Sequence, residues 1–239
     1  MQAVILAGGK GTRLRPYTTV FPKPLMPIGE MPILEVVLRQ LRRSGFDRVT
    51  LAVSYLAELI EAFCGNGSRF GLDLRYSRET RELSTAGPLK LVGGLDSTFL
   101  VMNGDLLTTL DYGALVETHR KAGATATIAA HRRTVRIDYG VLEPGPDGRL
   151  VNYLEKPEIP YTVSMGIYVL EPEVLDFIEA GESLGMPDLL LRLKAAGRTV
   201  LVHESPCLWL DIGRFEDYER AVEIFESMRT EFLEGPPRP

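Results

Sequence analysis

Apolar positions along the chain fall into two rhythms, short unbroken runs and helical stripes, which alternate through the first 130 residues. The run Ala3-Val4-Ile5-Leu6 has the length and β-branched content of a buried strand. Residues 31–44 carry Ile33, Leu34, Val37, Leu38 and Leu41 at helical spacing, closed by Gly45. The pattern then predicts a strand over 48–53, a helix over 56–63 and a strand over 72–76, with a polar loop at 77–84. A helix is expected to begin within 85–93, followed by a buried strand at 98–102, a helix at 115–122 and a strand at 126–130. Strands separated by helices of this length imply parallel βαβ units, hence a Rossmann-like, doubly wound and mostly parallel α/β sheet.

Beyond residue 130 the rhythm changes. Residues 140–142 and 150–154 flank Pro144-Gly145-Pro146-Asp147-Gly148, which reads as a hairpin turn. A strand at 163–170, helices at 172–178 and 186–196, a strand at 199–203, an apolar run at 208–212 and a last helix at 215–228 complete the pattern. The expectation is one domain over 1–229 with a β-rich insertion and no linker, then a flexible tail at 230–239.

Composition narrows the classes. Apolar residues make up 45% and charged residues 25%, ordinary values for a globular chain with a full core. A net charge of −5 gives no overall basic field for nucleic acid or a membrane surface, so any charge that binds phosphate must be local. Cys64 and Cys207 lack metal-ligand spacing, and His119, His131 and His203 are scattered. No apolar run approaches the roughly 20 residues of a membrane span. No basic region precedes the first apolar run, so a signal peptide is not expected and a cytoplasmic location is.

Local positive charge is found where the first strand ends. Leu6-Ala7-Gly8-Gly9-Lys10-Gly11-Thr12-Arg13 puts three glycines in four positions, with Lys10, Arg13 and Arg15 close by. Backbone N–H groups approach a ligand where no Cβ blocks them, so the turn reads as a phosphate loop. It is not a P-loop, because no Gly-Lys is followed by Ser or Thr in that frame. The dinucleotide fingerprint fails at Leu14, where a third glycine would stand. Downstream, Phe21-Pro22-Lys23-Pro24 sets a lysine between two prolines that stiffen an extended segment.

Two aspartates draw notice next. The strand at 98–102 runs into Asn103-Gly104-Asp105, beyond the carboxyl end of a strand, where open α/β sheets bind ligands. Asp211, within Trp209-Leu210-Asp211-Ile212-Gly213, ends another apolar run. Such residues also serve as turn or N-cap residues. Delivered together from distant strand ends, they suit Mg²⁺, which takes one or two carboxylates plus phosphate and water oxygens. Glu155-Lys156-Pro157 puts a lysine in extended backbone before proline. Gly140 and Gly166 interrupt strand patterns, as a bulge or a close ligand would require.

These segments resemble, in order, the signatures of the sugar-1-phosphate nucleotidyltransferases (NDP-sugar pyrophosphorylases). The carriers are the glycine loop through Leu14, Pro22-Lys23-Pro24-Leu25, Leu83-Ser84-Thr85-Ala86-Gly87-Pro88-Leu89, Asn103-Gly104-Asp105, Glu155-Lys156-Pro157, Met165-Gly166-Ile167-Tyr168-Val169 and Leu210-Asp211-Ile212-Gly213. The likeness covers residues 1 to about 225 and is to the short form, similar to mannose- and heptose-1-phosphate guanylyltransferases. Ser84 replaces a usual glycine, Pro88 a usual alanine, and Arg214 stands where threonine is common; these departures leave substrate identity open. No left-handed β-helix domain, which some members carry, is expected after the last helix.

The resemblance implies that an NTP and a sugar 1-phosphate condense to an NDP-sugar and pyrophosphate. Arg13 and Lys23 would act on phosphates, and Asp105 and Asp211 would hold Mg²⁺. Leu6, Ala7, Gly8, Gly9, Gly11, Thr12 and Arg13, with Glu79, Thr85 and Gly87, would surround the nucleotide. Gly140, Glu155, Lys156 and Ser164 would bind the sugar phosphate. The nucleotide part is then about 1–130, and the sugar and metal part about 131–229. Glu79 and Glu82 tilt the base toward guanine, whose N1–H and N2–H₂ can both donate to one carboxylate. UTP or dTTP with a glucose-type phosphate, cytidylyl transfer to a non-sugar phosphate or phosphonate, and a non-catalytic sugar-nucleotide sensor stay as alternatives. Compact members suggest a homodimer; neither nucleic acid nor membrane is expected as a partner.

Overall fold

The computed structural model describes residues 1–235. In chain order its elements are β1 (Gln2–Leu6), β2 (Pro27–Ile28), β3 (Met31–Pro32), α1 (Ile33–Arg43), β4 (Arg48–Val53), α2 (Ala57–Cys64), β5 (Asp73–Arg78), β6 (Phe99–Asn103) and β7 (Leu106–Thr108). They continue with α3 (Tyr112–Ala122), β8 (Ala126–Arg136), β9 (Gly140–Pro144), β10 (Leu150–Glu155), β11 (Glu158–Leu170), α4 (Met186–Ala195), β12 (Val200–Glu204), β13 (Trp209–Asp211), α5 (Phe215–Ser227) and α6 (Arg229–Glu234).

A seven-stranded sheet of order β12-β8-β11-β6-β1-β4-β5 runs through the centre. β1 pairs in parallel with both β4 and β6, β4 with β5, and β8 with β12, while β11 lies antiparallel to β6 and β8. The doubly wound, mostly parallel sheet expected from the alternating pattern is therefore the one observed. Its strands alternate side chains between two cores. Ala3, Ile5, Leu100 and Met102 join the cluster containing Val37, Leu41, Ile60 and Leu115 from α1, α2 and α3. Val4, Phe99 and Val101 point the other way, toward Leu89, Val174, Leu189 and Leu193. A third cluster closes one end, with Leu14, Ile33, Val36, Phe225 and Phe232 all buried.

Several boundaries differ from the sequence reading. Residues 85–93 form only a 3₁₀ turn, Gly87–Leu91, because Pro88 opens it and Gly93-Gly94 cannot extend it. Residues 172–178 likewise give a 3₁₀ segment, Pro172–Phe177. The lysine between prolines is not extended: Lys23–Leu25 is a buried 3₁₀ turn, with Met26 N–H donating to Lys23 O at 3.0 Å. Lys156 is not extended either. It turns the chain from β10 into β11 and takes φ +46°, against the usual preference before proline. The tail expected at 230–239 begins as helix α6, whose Phe232 is fully buried at 5.5 Å from the Phe225 ring. One buried aromatic anchors a stretch that composition alone marks as tail; residues 236–239 lie outside the described residues.

β8 and β11 are longer than their apolar cores predict. Their outer halves form an exposed two-stranded arm, and the β9–β10 hairpin is set between them in sequence, antiparallel as expected.

Candidate functional site

Strand order reverses at β1 and β6, which run side by side with Leu6 opposite Asn103 at their carboxyl ends. In an open α/β sheet this switch point leaves a crevice that neighbouring helices cannot fill. A cleft of about 510 Å³ opens there. From the nucleotide set read in the sequence it is lined by Leu6, Ala7, Gly8, Gly9, Gly11, Thr12 and Arg13, together with Glu79 and Thr85. Lys23 and Asp105 line it as well.

The glycines are there for space and for conformation. A Cβ on Gly8 would stand 2.8 Å from Glu79 Oε1 and 3.1 Å from Ser54 Cβ. Gly11 has φ +58°, and a Cβ there would press on Thr18 and Lys23 at 3.0 and 3.2 Å. Thr18 Oγ1 donates to Gly11 O at 2.7 Å and fixes the loop from below. Among the described residues the N–H groups of Gly8, Gly9 and Gly11 have no hydrogen-bond acceptor. Successive free N–H groups beside Arg13 make an anion-binding concavity.

Lys23 is buried, and its ammonium pairs with Asp105 Oδ2. Gly104 lets the backbone carrying Asp105 come close, since a Cβ there would meet Leu6 O at 3.1 Å and Pro24 Cγ at 3.4 Å. Asp211 arrives by strand pairing. β13 lies antiparallel to β7 with Asp211 opposite Leu106, the residue after Asp105, and Ile212 N–H donates to Asp105 O at 3.3 Å. The two carboxylates therefore share one corner. Desolvation, and after it the charge of Asp105, pushes the Asp211 carboxyl above its usual range, with Lys23 and Arg13 opposing. Arg13 reaches the same corner: its Nη1 lies 3.5 Å from where a Gly213 Cβ would stand.

A divalent cation fits this corner on one specific ground. Asp105 Oδ1 is buried and has no hydrogen-bond partner, while its other oxygen is already paired with Lys23. No group of three or more His, Cys, Asp or Glu gathers anywhere among the described residues. A two-carboxylate corner beside an anion site matches Mg²⁺, whose remaining positions take phosphate and water oxygens.

Other predicted residues fall elsewhere. Gly87 is buried behind the cleft, where a Cβ would collide with Glu182 O at 2.4 Å, so it shapes the wall without lining it. Gly140, Glu155 and Lys156 sit on the hairpin, outside the cleft lining. There Gly140 accommodates the Tyr153 hydroxyl, which donates to Glu155 Oε2 at 3.0 Å. Ser164, on β11, shares a hydrogen bond with the Tyr168 hydroxyl at 3.1 Å and accepts from Gly166 N–H at 3.3 Å. Gly166 in turn lies against Asn103, whose Nδ2 would be 2.7 Å from an added Cβ.

The cleft also recruits Ser54, Asn103, Ser183 and Gly213, which the sequence reading did not single out as site residues. Ser54 and Ser183 follow no chemical pattern; Asn103 could have been taken from its place at the end of β6. The histidines have structural surroundings. His119 is buried between Thr127 and Glu171, and His131 packs on Trp209. Burial pushes the Cys64 thiol up to about 12, which makes it a poor nucleophile. No helix among the described residues is long and apolar enough to cross a membrane.

Comparison with known proteins gives a consistent likeness. Residues 2–227 match the family model described as nucleotidyl transferase. The UTP–glucose-1-phosphate uridylyltransferase of Synechocystis sp. is 38% identical over 242 residues, which cover 93% of this chain and 62% of that protein. The mannose-1-phosphate guanylyltransferase of Mycobacterium tuberculosis is 34% identical over 226 residues, covering 92% of this chain and 63% of that protein. The chain thus spans somewhat less than two thirds of the length of these relatives. Among solved structures, HddC from Yersinia pseudotuberculosis superposes with a TM-score of 0.73 at 26% identity, covering 94% of this chain and 99% of that one. The same protein complexed with GMP-PN gives a TM-score of 0.71 at 25% identity.

Proposed function

This chain belongs to the nucleotidyl transferase family, and on that premise we propose that it joins an NTP to a sugar 1-phosphate, releasing pyrophosphate and an NDP-sugar. The observation that carries the reading is the corner where Asp105, Asp211, Lys23 and Arg13 meet a loop of free N–H groups. The sugar phosphate is mostly dianionic at neutral pH, its second pKa being about 6. It can therefore attack the α-phosphorus without a general base, in keeping with a cleft lined by no histidine or cysteine.

The chain's own residues then hold and neutralise charge. The N–H groups of Gly8, Gly9 and Gly11 bind phosphate oxygens, and Arg13 stabilises the triphosphate and the departing pyrophosphate. Lys23 shifts from its pair with Asp105 toward the α-phosphate oxygens. Mg²⁺, held by Asp105 and Asp211, would supply further neutralisation of the α-phosphate and the incoming phosphate. Glu155 and Lys156 bind the sugar and its phosphate, with Gly140 and Ser164 giving that part of the site its shape.

The base is guanine in this reading, with mannose or heptose 1-phosphate as acceptor. Glu79 on the cleft wall and the GMP-PN bound by the HddC relative support it. The uridylyltransferase relative supports UTP with glucose 1-phosphate as the second reading. In this reading the chain works in the cytoplasm and as a homodimer. Exposed Tyr139, Leu142, Leu150, Val151 and Tyr153 on the hairpin support a second copy as its cover. Light scattering should give twice the mass of one chain; a single-chain mass removes the dimer.

Pyrophosphate release with Mg²⁺, measured over five NTPs and several sugar 1-phosphates plus phosphocholine and an aminophosphonate, tests the reading. Release with GTP and one hexose or heptose 1-phosphate is expected. Release only with phosphocholine or the phosphonate would overturn the sugar, and a failure to release pyrophosphate with any acceptor would overturn the transferase.

A further inference from the structure

Asp105 and Asp211 stand at one end of a very small ribbon. β7 and β13 are three residues each and pair with one another, apart from the seven-stranded sheet. A two-stranded ribbon is marginal by itself. Mg²⁺ tolerates little departure from octahedral geometry, so carboxylates carried on such a ribbon need it fixed from outside. The firm bonds lie at the end away from the carboxylates. Thr108 Oγ1 donates to Leu208 O at 2.6 Å and accepts from Leu110 N–H at 3.1 Å. Thr109 N–H also donates to Leu208 O, at 3.0 Å, and Thr109 Oγ1 accepts from Leu208 N–H at 3.0 Å. The carboxylate end is closed by the longer bond, 3.3 Å, from Ile212 N–H to Asp105 O.

Bonds to the partner at Asp105 and Thr109 set the alternation along β7, which turns the carbonyl of Thr108 away from β13. A buried carbonyl on that edge needs a donor from elsewhere. Gln40, on α1, supplies it. This glutamine is only 3% exposed, and its Nε2 donates to Thr108 O at 2.8 Å and to Phe232 O at 3.0 Å. Its Oε1 accepts from the buried Tyr112 hydroxyl at 3.2 Å. One amide thus ties the ribbon to α1, α3 and α6 at once.

We infer that Gln40 and Thr108 are positioning residues for the cation corner, clamping the ribbon so that Asp105 and Asp211 present their carboxylates to one ion. Neither residue lines the cleft, so each acts through the backbone of β7 and β13. The inference rests on the metal reading above and deepens it. A purely structural role would cost stability and leave cation affinity where it was.

The test titrates Mn²⁺ alone into the full chain, well below its unfolding temperature, and reads the free ion by its paramagnetic resonance signal. The proteins are the wild type, Gln40→Met, Thr108→Val and Thr108→Ser, each checked for fold by circular dichroism. Gln40→Met and Thr108→Val keep the side-chain shape and remove its hydrogen bonds. Each should bind Mn²⁺ about tenfold more weakly, the order of loss seen when a group that orients metal ligands is removed. Thr108→Ser retains the hydroxyl and should bind as the wild type does. Should Gln40→Met fail to fold, the two Thr108 variants decide the matter. Wild-type affinity in folded Thr108→Val overturns the clamp, whatever its stability, and leaves the transferase reading untouched. Thr108→Ser as weak as Thr108→Val would assign the loss to the methyl group and overturn it too. A wild type that binds no Mn²⁺ removes the corner and the clamp together. A wild type whose Mn²⁺ affinity depends on the clamp, yet which never releases pyrophosphate, sinks the transferase reading and leaves the clamp standing.

Discussion

The two oxygens of Asp105 have different surroundings. Oδ2 meets the Lys23 ammonium, and Oδ1 is buried with no partner, a condition that costs on the order of 1–3 kcal/mol. Asp211 adds a second carboxylate to the same corner, where its desolvation and the charge of Asp105 outweigh the opposing Lys23 and Arg13. Asp211→Asn should therefore raise the unfolding temperature in the presence of a chelator and lose the further rise that Mg²⁺ gives the wild type. Thermal unfolding with and without Mg²⁺ checks both halves; a wild type indifferent to Mg²⁺ would remove the metal corner. Glu79 makes a pH-dependent case. Burial pushes its carboxyl up, with the Leu83 N–H opposing. A raised carboxyl pKa means that the ionised form is disfavoured in the fold. Its penalty is absent below the unfolded pKa of about 4.3 and grows as pH climbs through the folded value. Glu79→Gln keeps an acceptor for Leu83 and removes that penalty. It should stabilise the chain at pH 7 by under about 1 kcal/mol, since Glu79 is only half buried, and by nothing near pH 3. Denaturant midpoints at the two pH values read the difference, and an equal gain at both would contradict it. At this scale the site was legible where a residue ends an apolar run, as Asp105 and Asp211 do. It was not legible for Ser54 and Ser183, lone serines brought in by folding alone.

Elements were legible as far as their own apolar pattern reached. β1, β4 and β6 are buried on both faces and read as unbroken runs, so their existence and direction followed directly. The outer halves of β8 and β11 carry arginines, threonine and proline, and their pairing is a tertiary fact invisible to a window of residues. The turns at Lys23–Leu25 and at Lys156 escaped for a related reason: proline restricts its neighbour only as a preference, and tertiary contacts overrode it. Helix α6 is the sharpest case, because a charged and proline-rich terminus conceals one anchoring side chain. Gln40 Nε2 donates to Phe232 O at 3.0 Å, so backbone as well as ring is fastened to α1. Phe232→Ala should cost about 3–5 kcal/mol of stability, as for other large aromatic truncations in a core. A change under 1 kcal/mol in chemical denaturation, on the order of an exposed substitution, would show that α6 is not part of the core.

The whole molecule is a switch-point crevice with charge arranged on one side of it. A chain with net charge −5 concentrates Arg13 and Lys23 against a loop of free N–H groups, so positive charge gathers at one spot. The β9–β10 hairpin stands apart, with apolar side chains exposed on a two-stranded sheet that is marginal by itself. The fold was readable from alternation of strand and helix, and the corner from the compound motifs. The depth of the cleft and the membership of its second wall depend on how β5 and the loop after it approach β1, which no sequence pattern records. The central claim is that Asp105 and Asp211 make this corner catalytic. Its most direct test is pyrophosphate release by the wild type, Asp105→Asn and Asp211→Asn in one assay with Mg²⁺, GTP and mannose 1-phosphate, substituting whichever pair the substrate grid selects. The account predicts one pyrophosphate per NDP-sugar from the wild type, and rates at least ~10²-fold lower from both variants with their folds intact. Wild-type rates in either folded variant would contradict it.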